Sequence, residues 1–170
     1  TDPHRRIPEF SRDVHSLSAR ALNAHLGRWE ALWSSQRLSL VELVDAPDVW
    51  DKLVYTLTNP VEAGLVARSA QWPGLRTRPI DVTREPRIFK RPRTRFFRRS
   101  GLPTKVRLHV TVPPLLQPSD AHAFTQELQA RVAAREATIR EQMESAGRGF
   151  MGAHEVRRQR RDARPKTHEL

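Results

Sequence analysis

Apolar positions recur along the chain in several distinct rhythms. Phe10, Val14, Leu17, Ala21, Leu22 and Leu26 fall on one face at 100° per residue, predicting an amphipathic helix over about 10–26 that stops at Gly27. Arg12, Asp13 and Arg20 lie off that stripe, and Trp29 and Trp33 follow as expected core anchors. The short apolar run Leu38 to Val44 reads as a strand. Asp45-Ala46-Pro47 then opens a second helix, with Asp45 as N-cap, Asp48 in the first turn, and Val49, Trp50, Leu53, Val54 and Leu57 as its stripe. In Asn59-Pro60-Val61-Glu62-Ala63-Gly64 the residue types suit a separate single turn: Asn59 caps, Pro60 takes the first position, Glu62 completes a capping box and Gly64 supplies the left-handed stop.

The second half is patterned differently. No helical or strand period survives between Arg76 and Ser100, where Pro79, Pro86 and Pro92 interrupt a basic stretch. Lys105 to Val112 alternates strictly, predicting a half-buried strand that ends at Pro113-Pro114. Ser119 or Asp120 caps a long helix to about Ala146, with Phe124, Leu128, Val132, Ile139 and Met143 at helical spacing. Arg135 breaks that stripe, so packing is expected along only part of the helix. Residues from Arg148 onward form a basic tail with a short apolar insert at Phe150, Met151 and Val156.

Composition adds a partner to this outline. The chain has 170 residues, one domain's worth or one modest domain with tails, yet only 38% of them are hydrophobic, and 30 Lys+Arg against 19 Asp+Glu leave a net charge of +11. Only Lys52, Lys90, Lys105 and Lys166 are lysines; the remaining bases are arginines, whose planar fork suits phosphate. From Arg84 to Arg99 there are eight bases and one acid, and from Arg148 to Lys166 seven bases and two acids, leaving the rest of the chain nearly neutral. Charge concentrated in two segments is the footprint of a polyanion-binding protein. The candidate phosphate contacts are Arg87, Lys90, Arg91, Arg93, Arg95, Arg98 and Arg99 in the first segment, and Arg157, Arg158, Arg160 and Arg161 in the second. Phe89, Phe96 or Phe97 either stack on unpaired bases or anchor the segment to the fold. Trp29, Trp33, Trp50 and Trp72 are expected in the core rather than as base platforms.

Catalytic chemistry is not visible in the residues themselves. The chain contains no cysteine, which removes disulfides, thiolate catalysis and thiolate-held zinc or iron–sulfur clusters, and fits a reducing compartment. There is no Walker loop, Gly-x-Ser-x-Gly or His-Glu-x-x-His, and the seven histidines are scattered without metal-pair spacing. No apolar run approaches the roughly 18 residues of a membrane span. A cytoplasmic protein is the expectation.

One stretch carries a resemblance. Tyr55-Thr56-Leu57-Thr58-Asn59-Pro60-Val61-Glu62-Ala63-Gly64-Leu65-Val66, followed by Trp72-Pro73, resembles the REP-associated tyrosine transposases, a branch of the bacterial HUH single-strand transposases. Upstream, Ala21-Leu22-Asn23, Gly27-Arg28 and Leu32-Trp33 are similar in a looser way, and the match covers about residues 8–75. The resemblance implies that residues 1–75 are the C-terminal portion of a ferredoxin-like transposase domain; with the patterns read above, the expected α+β chain continues into a basic Pro/Arg-rich linker (76–103), a strand plus long helix (104–147) and a basic tail (148–170). It also implies binding of hairpin or single-stranded DNA and a bacterial, nucleoid-associated setting. In active members a His-x-His pair holds Mg²⁺ or Mn²⁺ and a helix tyrosine attacks the phosphodiester.

Two features of that chemistry are missing. The chain has no His-x-His, and the helix over 10–26 has Ser18 near the position where the nucleophilic tyrosine is expected. Asn23 matches an asparagine that completes the metal shell in some members, a role with no purpose without the histidines. Tyr55, the only tyrosine, projects away from its helix's apolar stripe and occupies a framework position of the motif. The expectation is a transposase-like DNA-binding protein that is catalytically impaired as it stands, with no catalytic residue, metal or cofactor in this chain. Two alternatives stay open: an active transposase whose metal-binding N-terminal half lies outside this chain, and a basic RNA-associated protein, since hairpin DNA and folded RNA present similar charge.

Overall fold

The computed structural model describes residues 6–33, 39–93, 97, 101, 103–116 and 120–160. Its described residues form a mixed α+β protein, mostly helical, with one two-stranded antiparallel sheet. Contacts divide the chain into two compact units, one of residues up to Glu42 with Pro86–His109, the other of Leu43–Glu85 with Val110 onward. Among the described residues no helix is long and apolar enough to cross a membrane.

The second unit holds the core. Helix α2, Ala46–Glu62, starts where expected: the Asp45 carboxylate accepts the Asp48 N–H at 2.8 Å. It then runs straight through the residues read as a separate turn. Pro60 lies in its last turn, where a missing N–H costs one carbonyl partner instead of breaking a long ladder. Asn59 is therefore a helical residue and not a cap, and Glu62 reaches across to Arg135 instead of completing a box; Arg135 Nε donates to Glu62 Oε1 at 2.8 Å. Gly64 does supply the left-handed stop, at φ +67°, and the Leu65 N–H bonds back to the Pro60 carbonyl while the Gly64 N–H bonds to that of Val61.

Helix α3, Ala121–Ser145, is capped by Asp120, which accepts the Ala123 N–H at 2.6 Å. Phe124, Leu128, Val132, Ile139 and Met143 are all buried, so α3 packs along its whole length. The expected interruption at Arg135 does not occur, because that side chain is exposed and paired with Glu62. The charged residue actually on the stripe is Glu136, buried at 8% exposure, whose carboxylate accepts the Ser69 N–H at 2.7 Å.

Two clusters fill the space between α2 and α3. Phe124, Leu128 and Val132 meet Trp50, Leu53, Val54 and Leu57, with Val82, Val112 and Leu116 closing the edge. Further along both helices, Val61 and Val66 meet Ile139 and Met143, with Trp72, Phe150 and Ala153 around them. The N-terminal half of one helix thus faces the N-terminal half of the other, and the pair runs in the same sense. Trp50 stacks on Phe124 with centroids 5.2 Å apart, and Arg131 sits 4.7 Å over the Trp50 ring. Val61 and Val66 are fully buried, a contribution of about 1.5–3 kcal/mol each by apolar area.

Short 3₁₀ turns at Ser69–Gln71, Pro79–Val82 and Pro114–Leu116 carry the connections. The second is held by Asp81, buried at 5% exposure, which accepts from the Arg78 backbone N–H and from its guanidinium at 2.6 Å. That hydrogen bond, reinforced by charge attraction, raises the Arg78 pKa above the ordinary guanidinium value. The beginning of the basic tail is also fixed: the Met151 and Gly152 N–H groups bond to the Gly64 and Leu65 carbonyls, each at 2.9 Å, ahead of the short helix α4, Ala153–Arg158.

In the first unit, helix α1, Ile7–Leu26, ends at Gly27 with φ +63°, as its stop signal predicts. No residue of α1 is buried, and Phe10 is 68% exposed. Trp29 is not a core residue at 92% exposure, and Trp33 is half exposed, its indole N–H donating to the His15 carbonyl at 2.9 Å. The strand expected over 38–44 is absent over 39–44, and Leu38 lies outside the described residues. Leu40, Val41 and Val44 are exposed there, because an apolar run becomes a strand only where another strand pairs with it.

Candidate nucleic-acid interface

The segment read as lacking any period contains a strand. β1, Arg87–Lys90, lies between Pro86 and Pro92, and β2, Lys105–Leu108, follows Pro103. Proline at a strand's margin costs no ladder bond, whereas within the ladder it removes a donor. The strands pair antiparallel in the register Arg87↔Leu108, Ile88↔Arg107, Phe89↔Val106 and Lys90↔Lys105, and the Arg91 N–H extends the ladder to the Thr104 carbonyl at 2.9 Å.

β2 is both shorter and more exposed than its alternation predicts. It stops at Leu108 instead of Val112, and every residue of both strands is exposed. The partner runs out there: Pro86 stands opposite His109 in this register, preceded by a bend at 83–84. Among the described residues no second layer covers either face, so alternation sorts residues between two wet faces and not between core and solvent.

One face carries Arg87, Phe89, Val106 and Leu108, with the Arg87 guanidinium 5.2 Å from the Phe89 ring centroid. The other carries Ile88, Lys90, Lys105 and Arg107. At the open end Lys90, Arg91, Pro92 and Arg93 from one strand and Thr104 and Lys105 from the other line a cleft of about 480 Å³. From Arg87 to Arg93 and from Thr104 to Leu108 there are six bases and no acid. Such a ribbon can hold several phosphates of one strand while its exposed Phe89 and Arg87 offer a flat surface to a base.

Of the residues singled out from sequence, Arg87, Lys90, Arg91 and Arg93 lie on this ribbon. Arg157 and Arg158 are exposed on the last turn of α4, and Arg160 is exposed just beyond it, all in the other unit. Arg95, Arg98, Arg99 and Arg161 lie outside the described residues. Phe96 is likewise outside them, and Phe97 is partly buried. Lys105 and Arg107 were not singled out. Their signal was present in the alternation of Lys105-Val106-Arg107-Leu108, whose polar positions are both basic, but it reads as an address for phosphate only once β1 is seen to pair with it.

Tyr55 is 53% exposed on α2, with Lys52 Nζ 5.8 Å from its ring. Asn23 donates Nδ2 to the Glu30 carbonyl at 2.7 Å, and its Oδ1 is enclosed without a hydrogen-bond partner. A single amide oxygen is a poor match for the oxygen-rich shell of Mg²⁺ or Mn²⁺. Among the described residues no group of three or more His, Cys, Asp or Glu side chains comes together around it or elsewhere.

No protein-family model, no curated protein and no solved structure matches this chain.

Proposed function

We propose that this chain is a transposase-like nucleic-acid-binding protein that holds hairpin or single-stranded DNA through the β1–β2 ribbon and the basic tail, without itself forming a covalent link to the DNA. The observation that carries it is the ribbon: a two-stranded element with six bases, no acid and both faces exposed. Protein ribbons of that kind have little to gain from packing and much to gain from a polyanion. The resemblance of residues 55–73 to the transposase motif supplies the choice of DNA over other polyanions. On this reading residues 1–75 correspond to the C-terminal portion of a ferredoxin-like transposase domain, and Val61, Gly64 and Val66 of the motif serve as its packed framework.

The test is equilibrium binding to matched DNA and RNA hairpins at 50 and 200 mM salt. With about six phosphate contacts, affinity for the DNA hairpin should fall by roughly 10³ over that range. A flat salt response removes the phosphate-binding role, and preference for the RNA hairpin replaces DNA with RNA as the partner. Incubating the DNA hairpin with Mn²⁺ should give no covalent adduct; an adduct abolished by Tyr55→Phe would make the protein an active enzyme.

A further inference from the structure

Resting on that reading, we propose that the Lys90–Lys105 rung, with Arg91 and Arg93 at the mouth of the ribbon, is a clamp for the phosphates of a nucleic-acid backbone, and that phosphate binding is coupled to formation of the ribbon. The hydrogen bond from Arg91 to Thr104 makes that pair a hydrogen-bonded one, and pair types alternate along an antiparallel ladder. Lys90 and Lys105 therefore form a non-hydrogen-bonded pair, the kind in which facing side chains approach most closely. Like charges directly opposite one another destabilise a sheet. Arg107 lies on the same face, diagonal to Lys90, and adds to the repulsion.

A two-stranded ribbon of four-residue strands is marginal before any such penalty. Its least favourable rung is also the one that lines the 480 Å³ cleft, together with Arg91, Pro92, Arg93 and Thr104. That volume lies within the roughly 300–1,000 Å³ usual for ligand sites, but four bases in the lining select an anion over an apolar guest. A phosphate between the two ammonium groups turns their repulsion into two attractions. Because only the paired ribbon brings Lys90 and Lys105 together, the ligand binds the formed state and stabilises it.

The test follows amide hydrogen exchange at Phe89 and Val106 in the full chain, alone, with tripolyphosphate, and with a 12-nucleotide single-stranded DNA. At a hundred times its dissociation constant, DNA bound only by the formed ribbon should slow exchange about a hundredfold. Lys105→Glu makes the rung an opposite-charge pair. It should slow exchange without ligand, weaken DNA binding and lower the slope of log affinity against log salt by at least about 1. Lys90→Glu should do the same from the other strand. The double variant restores a like-charge rung and should return exchange to its fast rate, while the slowed exchange of each single variant itself shows that its ribbon is formed.

Lys105→Glu binding DNA with unchanged affinity and slope would overturn the clamp while leaving the nucleic-acid reading in place. Failure of the unaltered chain to bind either DNA or RNA would instead remove that reading. Protection by tripolyphosphate but not by DNA would leave an anion site whose ligand is not a nucleic-acid backbone, which also overturns the proposal.

Discussion

Replacing Glu136 with alanine isolates one long-range bond that ties the connection after α2 to the middle of α3. The carboxylate, buried on the core stripe, accepts the Ser69 N–H at 2.7 Å across 67 residues of sequence. A hydrogen bond to a charged group contributes about 1.5–3 kcal/mol, and removing it leaves a part-buried N–H unpaired. The Arg140 contact at 3.8 Å adds little, because that guanidinium is more than one-third exposed and its attraction is screened. Alanine's higher helix propensity returns a few tenths of a kcal/mol. The net loss is about 1–3 kcal/mol, or roughly 4–20 °C in Tm for a unit of this size. Thermal unfolding followed by circular dichroism gives the shift, and the Ser69 amide should exchange about tenfold faster or more. Glu136→Gln keeps an acceptor and should lose about half as much. If Glu136→Ala unfolds within about 0.3 kcal/mol of the parent with Ser69 still protected, the bond is not the tie described here.

Other positions make shorter tests of the same framework. Gly64→Ala forces a Cβ into the left-handed region, 3.3 Å from Met143 Cε, and should cost about 1–2 kcal/mol in urea denaturation. Phe124→Ala removes the ring stacked on Trp50 and should cost about 3–5 kcal/mol, with loss of near-ultraviolet dichroism from Trp50. Asp120→Ala deletes the α3 cap and should cost about 1 kcal/mol, with faster exchange of the Ala123 amide.

What could be read from the chain in advance divides along physical lines. The starts of α2 and α3 and the left-handed stops at Gly27 and Gly64 were legible because such signals are local: Asp45 and Asp120 bond to backbone three residues on, and the two glycines adopt a conformation their neighbours cannot, whereas the last turn of α2 was misread as a separate element. The buried stripe of α3 was legible for the same reason, since its period lies within one helix. Glu136 was not, because a buried carboxylate looks like a surface one until Ser69 is placed beside it. The ribbon was half legible. β2 alternates, but Arg87-Ile88-Phe89-Lys90 carries no period of its own and is a strand only by virtue of its partner. The failed strand over 39–44 is the converse, an apolar run whose described residues have no strand beside them. Trp29 shows that composition alone does not bury a side chain: a large aromatic just past the end of an uncovered helix stays in solvent. Of the site, the four bases of β1 and its exit were found from charge density, whereas Lys105 and Arg107 required the register.

If the ribbon holds a nucleic acid by its phosphates, the slope of log affinity against log salt reports those contacts. The unaltered chain is compared on one DNA hairpin with a variant in which Lys90, Arg91, Arg93, Lys105 and Arg107 are all glutamine. At about 0.9 per phosphate contact, the slope should become shallower by roughly 4–5 in the variant. An unchanged slope in a variant that still folds would place the phosphate contacts outside the ribbon.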